Sequence, residues 1–393
     1  MSKPFPEIHN IVIIGASFAG LNIAHTLLSK TFPLLKSQQP DATYTVTIIS
    51  SSTHFYWTVG ASRSLLGLES FPLKDSFLPI AQGFKQYPAE DYDLIYATVT
   101  AMDSEKRVLV LEGSERDEVK YDSLVIASGA KSTSPLWSLH GTHEATEQAL
   151  VDVQARIPRA ESILIAGGGA AGVESAGEFG YNYGTCGVLG RKHITILSGG
   201  SRLLNVVKES VGAGVQAQKQ LEALGVKVVH DVKVERTEEL QEGSTKVWLS
   251  DGSSKVVDIY LDSTGRRPNA PFVPEKFRDR RGAVVVDEHL AVVGAGSRFW
   301  AFGDVVTLTK GGLFDIMNQG PVMLNNIEVA LGVAKRVLKS YQMPDTMMLM
   351  VPTGPKGGVA VVFDWRLWSW LVWVVKSRDM MIGRAMKNIL GTA

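Results

Sequence analysis

Three glycines in GGGAAG, at Gly167, Gly169 and Gly172, have the spacing of a dinucleotide-binding turn. The first glycine would make a tight turn, the second would let the backbone approach a pyrophosphate, and the third would let a helix pack on a strand. The helix that follows offers unpaired N–H groups and the positive end of its dipole to the phosphates. A second, weaker copy lies near the start: Gly15, Ala16, Ser17, Phe18, Ala19, Gly20. Here serine stands at the middle position. Its Cβ lies close to the phosphate path, but its hydroxyl can donate to a phosphate oxygen. An acid that would accept ribose hydroxyls is also missing after the next strand, where the chain has Ser50, Ser51 and Ser52. The corresponding place in the later copy reads Ser198, Ser201, Arg202. With no acid there and an arginine able to meet a 2′-phosphate, this turn would accept a dinucleotide with or without that phosphate; Arg202 could equally be a surface charge.

The elements that must hold these turns are legible. Val12 to Ile14 are branched and apolar, as in a buried parallel strand; LNIAHTLLSK follows at helical spacing, and YTVTIIS (44–50) is the next strand. DLIYATVTAMD and RVLVLEG read as a hairpin or meander, and YDSLVIASGA as a strand ending on Ser128-Gly129. Residues 131–160 read as a polar crossover. The pattern then restarts with SILIAGGGAAGVESAGEFG and HITILSGG, followed by further strands up to STGRRPN. AVVVDEHLAVV alternates as a strand, FWAFGDVV is a strand ending on Gly303-Asp304, and residues 317–338 form a long helix. The fold class is therefore α/β: two Rossmann-like dinucleotide-binding domains plus a small C-terminal α+β domain. The boundaries are 1–137 with 266–318, then 138–265, then 319–393.

Composition narrows the chemistry. The chain has 393 residues with 40 basic and 40 acidic side chains, so it lacks the basic footprint of a nucleic-acid binder. One cysteine, Cys186, excludes a disulfide framework, a cysteine zinc site and a CxxC redox pair. Redox chemistry must use a bound cofactor, and no metal is expected. The N-terminus meets the first strand too soon for a signal peptide, and residue 2 is Ser, which excludes N-myristoylation.

The order GxxxxG, ASG, GGGxxGxE, STGRRPN, GD resembles the two-dinucleotide-binding flavoprotein reductases over essentially the whole chain. The tail VVKSRDMMIGRAMKN is similar to that of the apoptosis-inducing-factor-like group, which includes ferroptosis suppressor protein and is related to type II NADH dehydrogenases. The resemblance implies FAD on Gly15–Gly20, with Arg63 near its phosphates or ring and the backbone of Val99 near the adenine. Gly129, Gly303 and Asp304 would complete that site, with the helix near Asn318 and Gln319 beginning close to the flavin. NADH or NADPH would lie on Gly167–Gly172, with Glu174 facing the nicotinamide. Glu178, at i+4 from Glu174, reads as part of a solvated helix face. Lys376 would lie near the flavin and the acceptor.

The tail from about 345 reads as strands and then an aromatic helix, WRLWSWLVWVVK (365–376), which carries four of the eight tryptophans. The run is too short to span a bilayer, but Trp365 to Trp373 could lie in a membrane interface, or bury against the core or a dimer partner. The expected protein is cytoplasmic and not secreted, peripheral on a membrane such as the mitochondrial outer membrane or a lipid droplet, and passes electrons to a quinone. The alternatives are a flavin-dependent tailoring oxidase or monooxygenase of a small metabolite, and a non-enzymatic signalling flavoprotein.

Overall fold

The computed structural model describes residues 8–205, 211–241, 243–345, 348–362 and 365–392. The N-terminal segment on which the leader and lipidation readings rest lies outside them, except for its last residues. In the first module, β1 (Ile8–Ile14) leads through the glycine turn into α1 (Phe18–Thr26), and β2 (Thr43–Ser50) follows. The short helix α2 (Ala61–Ser64), β3 (Tyr92–Tyr96) and β4 (Ser123–Ile126) come next. Helix α3 (His143–Arg156) occupies much of the stretch read as a polar crossover. The second module is β5 (Ser162–Ala166), α4 (Ala170–Tyr183), β6 (His193–Leu197), α5 (Val211–Ala223), β7 (Lys227–Val229) and β8 (Ile259–Asp262). The chain returns to the first module with β9 (Phe299–Ala301) and α6 (Leu313–Ala330).

The first sheet has the order β9-β4-β1-β2-β3 and the second β7-β6-β5-β8, with every neighbouring pair parallel. In each, the strand before the glycine turn is flanked on both sides. Each glycine turn thus opens at the carboxyl ends of the strands where the winding reverses, the usual ligand crevice of such sheets. Buried on both faces, Ile11–Ile14 of β1 and Ile163–Ala166 of β5 are continuous apolar runs.

Three elements differ from expectation. Residues 283–293 do not form a strand. Asp287 Oδ1 accepts the His289 and Ala291 N–H groups, Leu290 is left-handed (φ 62°), and only isolated bridges such as Val286 to Val292 remain. Helix α6 begins at Leu313, not near 318, and ends at Ala330 before Gly332 (φ 80°). The aromatic stretch is not one helix: β12 (Trp365–Leu367) is a strand in a sheet with β10 (Leu349–Pro352) and β11 (Gly358–Val362), and helical winding starts only at α7 (Ser369–Val372).

The tail divides its apolar contacts. Val351, Val359 and Val361 join the core of the second module, whereas Ala385 and Ile389 of α8 (Gly383–Ile389) join the core of the first. His25 closes the latter contact. It stacks on Phe84 with ring centroids 4.8 Å apart, and Nδ1 lies 3.0 Å from the Tyr87 hydroxyl. Burial lowers its pKa from 6.5 to about 4, and the Ile389 carbonyl only partly opposes this. Below pH 6.5 the unfolded chain protonates this histidine and the folded chain does not. Stability is therefore lost as pH falls from about 6.5 toward 4, by about 3 kcal/mol for this group. Denaturant midpoints between pH 7 and 4.5 should fall for the parent and fall less for His25→Phe; equal slopes would refute the assignment.

Candidate functional site

The first glycine turn is forced by close packing. A Cβ on Gly15 (φ 107°) would lie 2.5 Å from the Ala127 carbonyl oxygen, and one on Gly20 would lie 1.7 Å from that of Gly15. Ala16 and Ala19 are buried beneath the turn. Phe18 packs edge-on against Phe55, centroids 5.0 Å apart. Ser17 is the extended N-cap of α1, is exposed, and makes no side-chain cap bond. Its hydroxyl is therefore uncommitted beside the unpaired N–H groups of the helix. Ser50 is spent locally: its hydroxyl donates to the Ser52 carbonyl at 2.8 Å and accepts the Ser52 N–H at 3.3 Å. Val99 is buried next to a β-bulge that shifts the register between it and Ala101.

Two other motifs converge on this turn. Ser128 Oγ donates to the Asn269 carbonyl at 2.6 Å, and the Asn269 N–H donates to the Gly129 carbonyl at 2.9 Å. A Cβ on Gly303 would stand 3.3 Å from that of Ala19. Gln319 is fully buried; Oε1 accepts the Gly303 N–H at 2.6 Å and Nε2 donates to the Leu308 carbonyl at 2.9 Å. It thus fixes the Gly303-Asp304 turn from behind. Asp304 accepts the Gly312 N–H at 2.8 Å and pairs with Arg266, a partner the sequence did not suggest. A carboxylate retains further acceptor capacity for a ligand hydroxyl. The uncommitted Ser17 hydroxyl, and open space where Gly129 (φ 67°) lacks a Cβ, fit the phosphate and ribityl parts of FAD.

In the second turn a Cβ on Gly167 would lie 2.6 Å from Ser263 Oγ, and one on Gly172 1.8 Å from the Gly167 carbonyl. A Cβ on Gly169 would meet nothing within 4 Å. The middle position thus faces the open space that a pyrophosphate needs. Ser198 Oγ donates to the Arg202 carbonyl at 2.9 Å, and Arg202 Nε is buried without a hydrogen-bond partner. An orphaned donor at this place fits an oxygen-rich ligand.

Glu174 and Lys376, 202 residues apart, meet. Lys376 Nζ lies 2.6 Å from Glu174 Oε1 and 3.4 Å from the Met350 carbonyl. Among the described residues, Glu174 Oε2 has only the Ser62 hydroxyl, at 3.5 Å. The pair is largely buried, on the first turns of α4 directly after Gly172.

Arg63, expected near the FAD phosphates or ring, commits four of its five N–H groups to protein acceptors. Nε lies 3.1 Å from both Glu178 oxygens, Nη2 lies 2.6 Å from Oε1, and Nη2 and Nη1 donate to the Ser377 and Arg378 carbonyls at 2.6 and 3.0 Å. Glu178 is correspondingly not on a solvated face but fully buried. Burial pushes its carboxyl up, and the Arg63 guanidinium pulls it back. Its role was missed, although a signal existed. AAGVESAGEFGYNY is small or apolar on nearly every side, so an acid in it must be buried and therefore paired.

A family model described as pyridine nucleotide-disulphide oxidoreductase matches residues 9–330. The chain belongs to this family. It is 31% identical to oxidoreductase ptaL of Pestalotiopsis fici over 98% of this chain and 99% of that one. It is 25% identical to ferroptosis suppressor protein 1 of Mus musculus over 97% and 95%. Among solved structures, the sulfide:quinone oxidoreductase of Aquifex aeolicus superposes with a TM-score of 0.73 at 14% identity, covering 98% of this chain and 92% of that one. This family member is an oxidoreductase with FAD and a pyridine nucleotide, NADH or NADPH, as cofactors. With Cys186 as its one cysteine, it lacks the dithiol pair that the family's name suggests. No helix among the described residues is long and apolar enough to cross a membrane, and no metal-ligating cluster occurs among them.

Proposed function

We propose that this chain is an NAD(P)H-dependent flavoprotein reductase that delivers electrons to a quinone. The observation that carries the reading is the Glu174–Lys376 ion pair at 2.6 Å beside the second glycine turn. FAD, when bound on Gly15–Gly20, supplies a hydride acceptor that can then release electrons to a second substrate. The residues do the rest. The Gly167–Gly172 turn and Arg202 hold the donor's phosphates and ribose. Glu174 Oε2 is placed to accept a carboxamide N–H. Lys376 presents a fixed cation to the electron-rich partner in the reaction. Asp304 and Ser17 hold the ribityl and phosphate groups of FAD. Arg63 and Gln319 bind protein groups.

The quinone reading draws on the tail next to Lys376. Trp365, Trp368, Trp370 and Trp373 are 77, 71, 58 and 40% exposed, with Val374 and Val375 beside them. Trp368 and Trp370 stack with centroids 6.4 Å apart. Such a face suits a membrane interface, where a lipid-soluble quinone resides. The second reading is a flavin-dependent oxidase or monooxygenase of a small metabolite; the name of oxidoreductase ptaL, 31% identical against 25% for ferroptosis suppressor protein 1, mentions no quinone.

An anaerobic visible titration with NADH and then NADPH tests the reductase. The flavin band should bleach, and Lys376→Met should slow the bleaching at least tenfold. Quinone in liposomes should then restore the band, and the protein should float with those liposomes. Restoration by no quinone would move the reading to the metabolite oxidase; a flavin that neither donor bleaches would leave a signalling flavoprotein.

A further inference from the structure

Arg63 lies in α2, far in sequence from both candidate catalytic side chains, yet it touches what holds each of them. Its side chain is 6% exposed. One edge of the guanidinium grips Glu178, 115 residues away, and the other donates to the carbonyls of Ser377 and Arg378, the two residues after Lys376. Residues Trp373–Ser377 form a single π-helical turn, a form common at functional sites and never extended far. The Lys376 carbonyl at its end accepts the Met380 N–H at 2.7 Å, and the Ser377 and Arg378 carbonyls that follow accept from Arg63. Beyond it the chain is held by Trp57 Nε1, which donates to the Met380 carbonyl at 2.9 Å, and by Ser377 Oγ, which donates to the Gly357 carbonyl at 2.9 Å.

Glu174 and Glu178 are one helical turn apart on α4, so their side chains share a face. The tail therefore docks on α4 at two points: Lys376 on Glu174, and the next two carbonyls on Glu178 through Arg63. We propose that Arg63 is a positioning residue, which sets the register of the tail on α4 so that Lys376 lands on Glu174. The planar guanidinium suits this role because its donors point in fixed directions to three acceptor groups; an ammonium cannot reproduce that. The inference rests on the reading of Lys376 as a residue of the reaction.

The test uses the FAD-loaded protein and the variant pair Arg63→Met/Glu178→Leu. Removing both buried charges together should leave the fold and FAD content near the parent's. The expected result is a rate of anaerobic flavin reduction at saturating donor about tenfold lower, with donor affinity unchanged and faster hydrogen exchange at residues 374–382. Adding Lys376→Met should bring little further loss, because the two changes act through one group. Should the pair variant lose FAD, Arg63→Lys keeps the charge opposite Glu178, lacks the fork, and should give the same slow reduction. A parental rate in whichever of these variants retains FAD, or a full additional loss on adding Lys376→Met, would overturn the proposal. A parental rate in Lys376→Met alone would sink the reading of Lys376 instead; unchanged exchange at 374–382 would then sink the positioning role as well.

Discussion

Glu178→Ala is expected to destabilise the protein by about 3–5 kcal/mol, the usual cost of stranding one partner of a buried ion pair. That is a large share of the roughly 5–15 kcal/mol by which domains are stable. The side chains of Arg63 and Glu178 are 6 and 1% exposed, so the guanidinium freed by the substitution cannot rehydrate without opening the contact between α2, α4 and the tail. Loss of Trp57–tail packing should therefore precede global unfolding. Urea denaturation followed by tryptophan fluorescence measures the cost, and Arg63→Met/Glu178→Leu should recover most of it. A cost below about 1 kcal/mol for Glu178→Ala would show that Arg63 reaches water, and the two-point docking would lose its basis.

Gly169→Ala is expected to weaken NAD(P)H binding tenfold or more, about 1.4 kcal/mol or above, while leaving FAD content and melting temperature unchanged. The backbone there is extended (φ −79°, ψ −174°), so alanine is not strained, and its Cβ meets no protein atom within 4 Å. The added methyl enters only the space assigned to the pyrophosphate. Gly172→Ala is the contrast, because its Cβ would stand 1.8 Å from the Gly167 carbonyl and the module must distort to admit it. Steady-state kinetics beside flavin absorbance separates the two. An unchanged donor KM in Gly169→Ala would place the pyrophosphate elsewhere.

The two modules were legible because their determinants are local. Branched apolar runs of four to seven residues make strands buried on both faces, and a glycine whose Cβ would strike a neighbouring carbonyl leaves one way to turn into the helix. The Gly303-Asp304 strand end was legible for the same reason. Alternation misled at 283–293, where Asp287 accepts two backbone N–H groups and turns the chain before a strand can extend. The aromatic run misled in another way. Its residues are compatible with helix and strand alike, and the edge of β11 captured Trp365–Leu367 as a third strand.

What the sequence by itself determined is thus two dinucleotide turns, their order and the class of cofactor. The tertiary structure alone decided how charges are shared: Glu174 with Lys376 and Glu178 with Arg63 in the interior, and Asp304 with Arg266 at the surface. The reason lies in the range of the forces. Steric exclusion acts between near neighbours in the chain and is written in residue type and spacing. A buried charge is bound to whichever opposite charge folding brings within about 3 Å, and the cost of leaving it alone shows that a partner must exist without saying where in the chain it is.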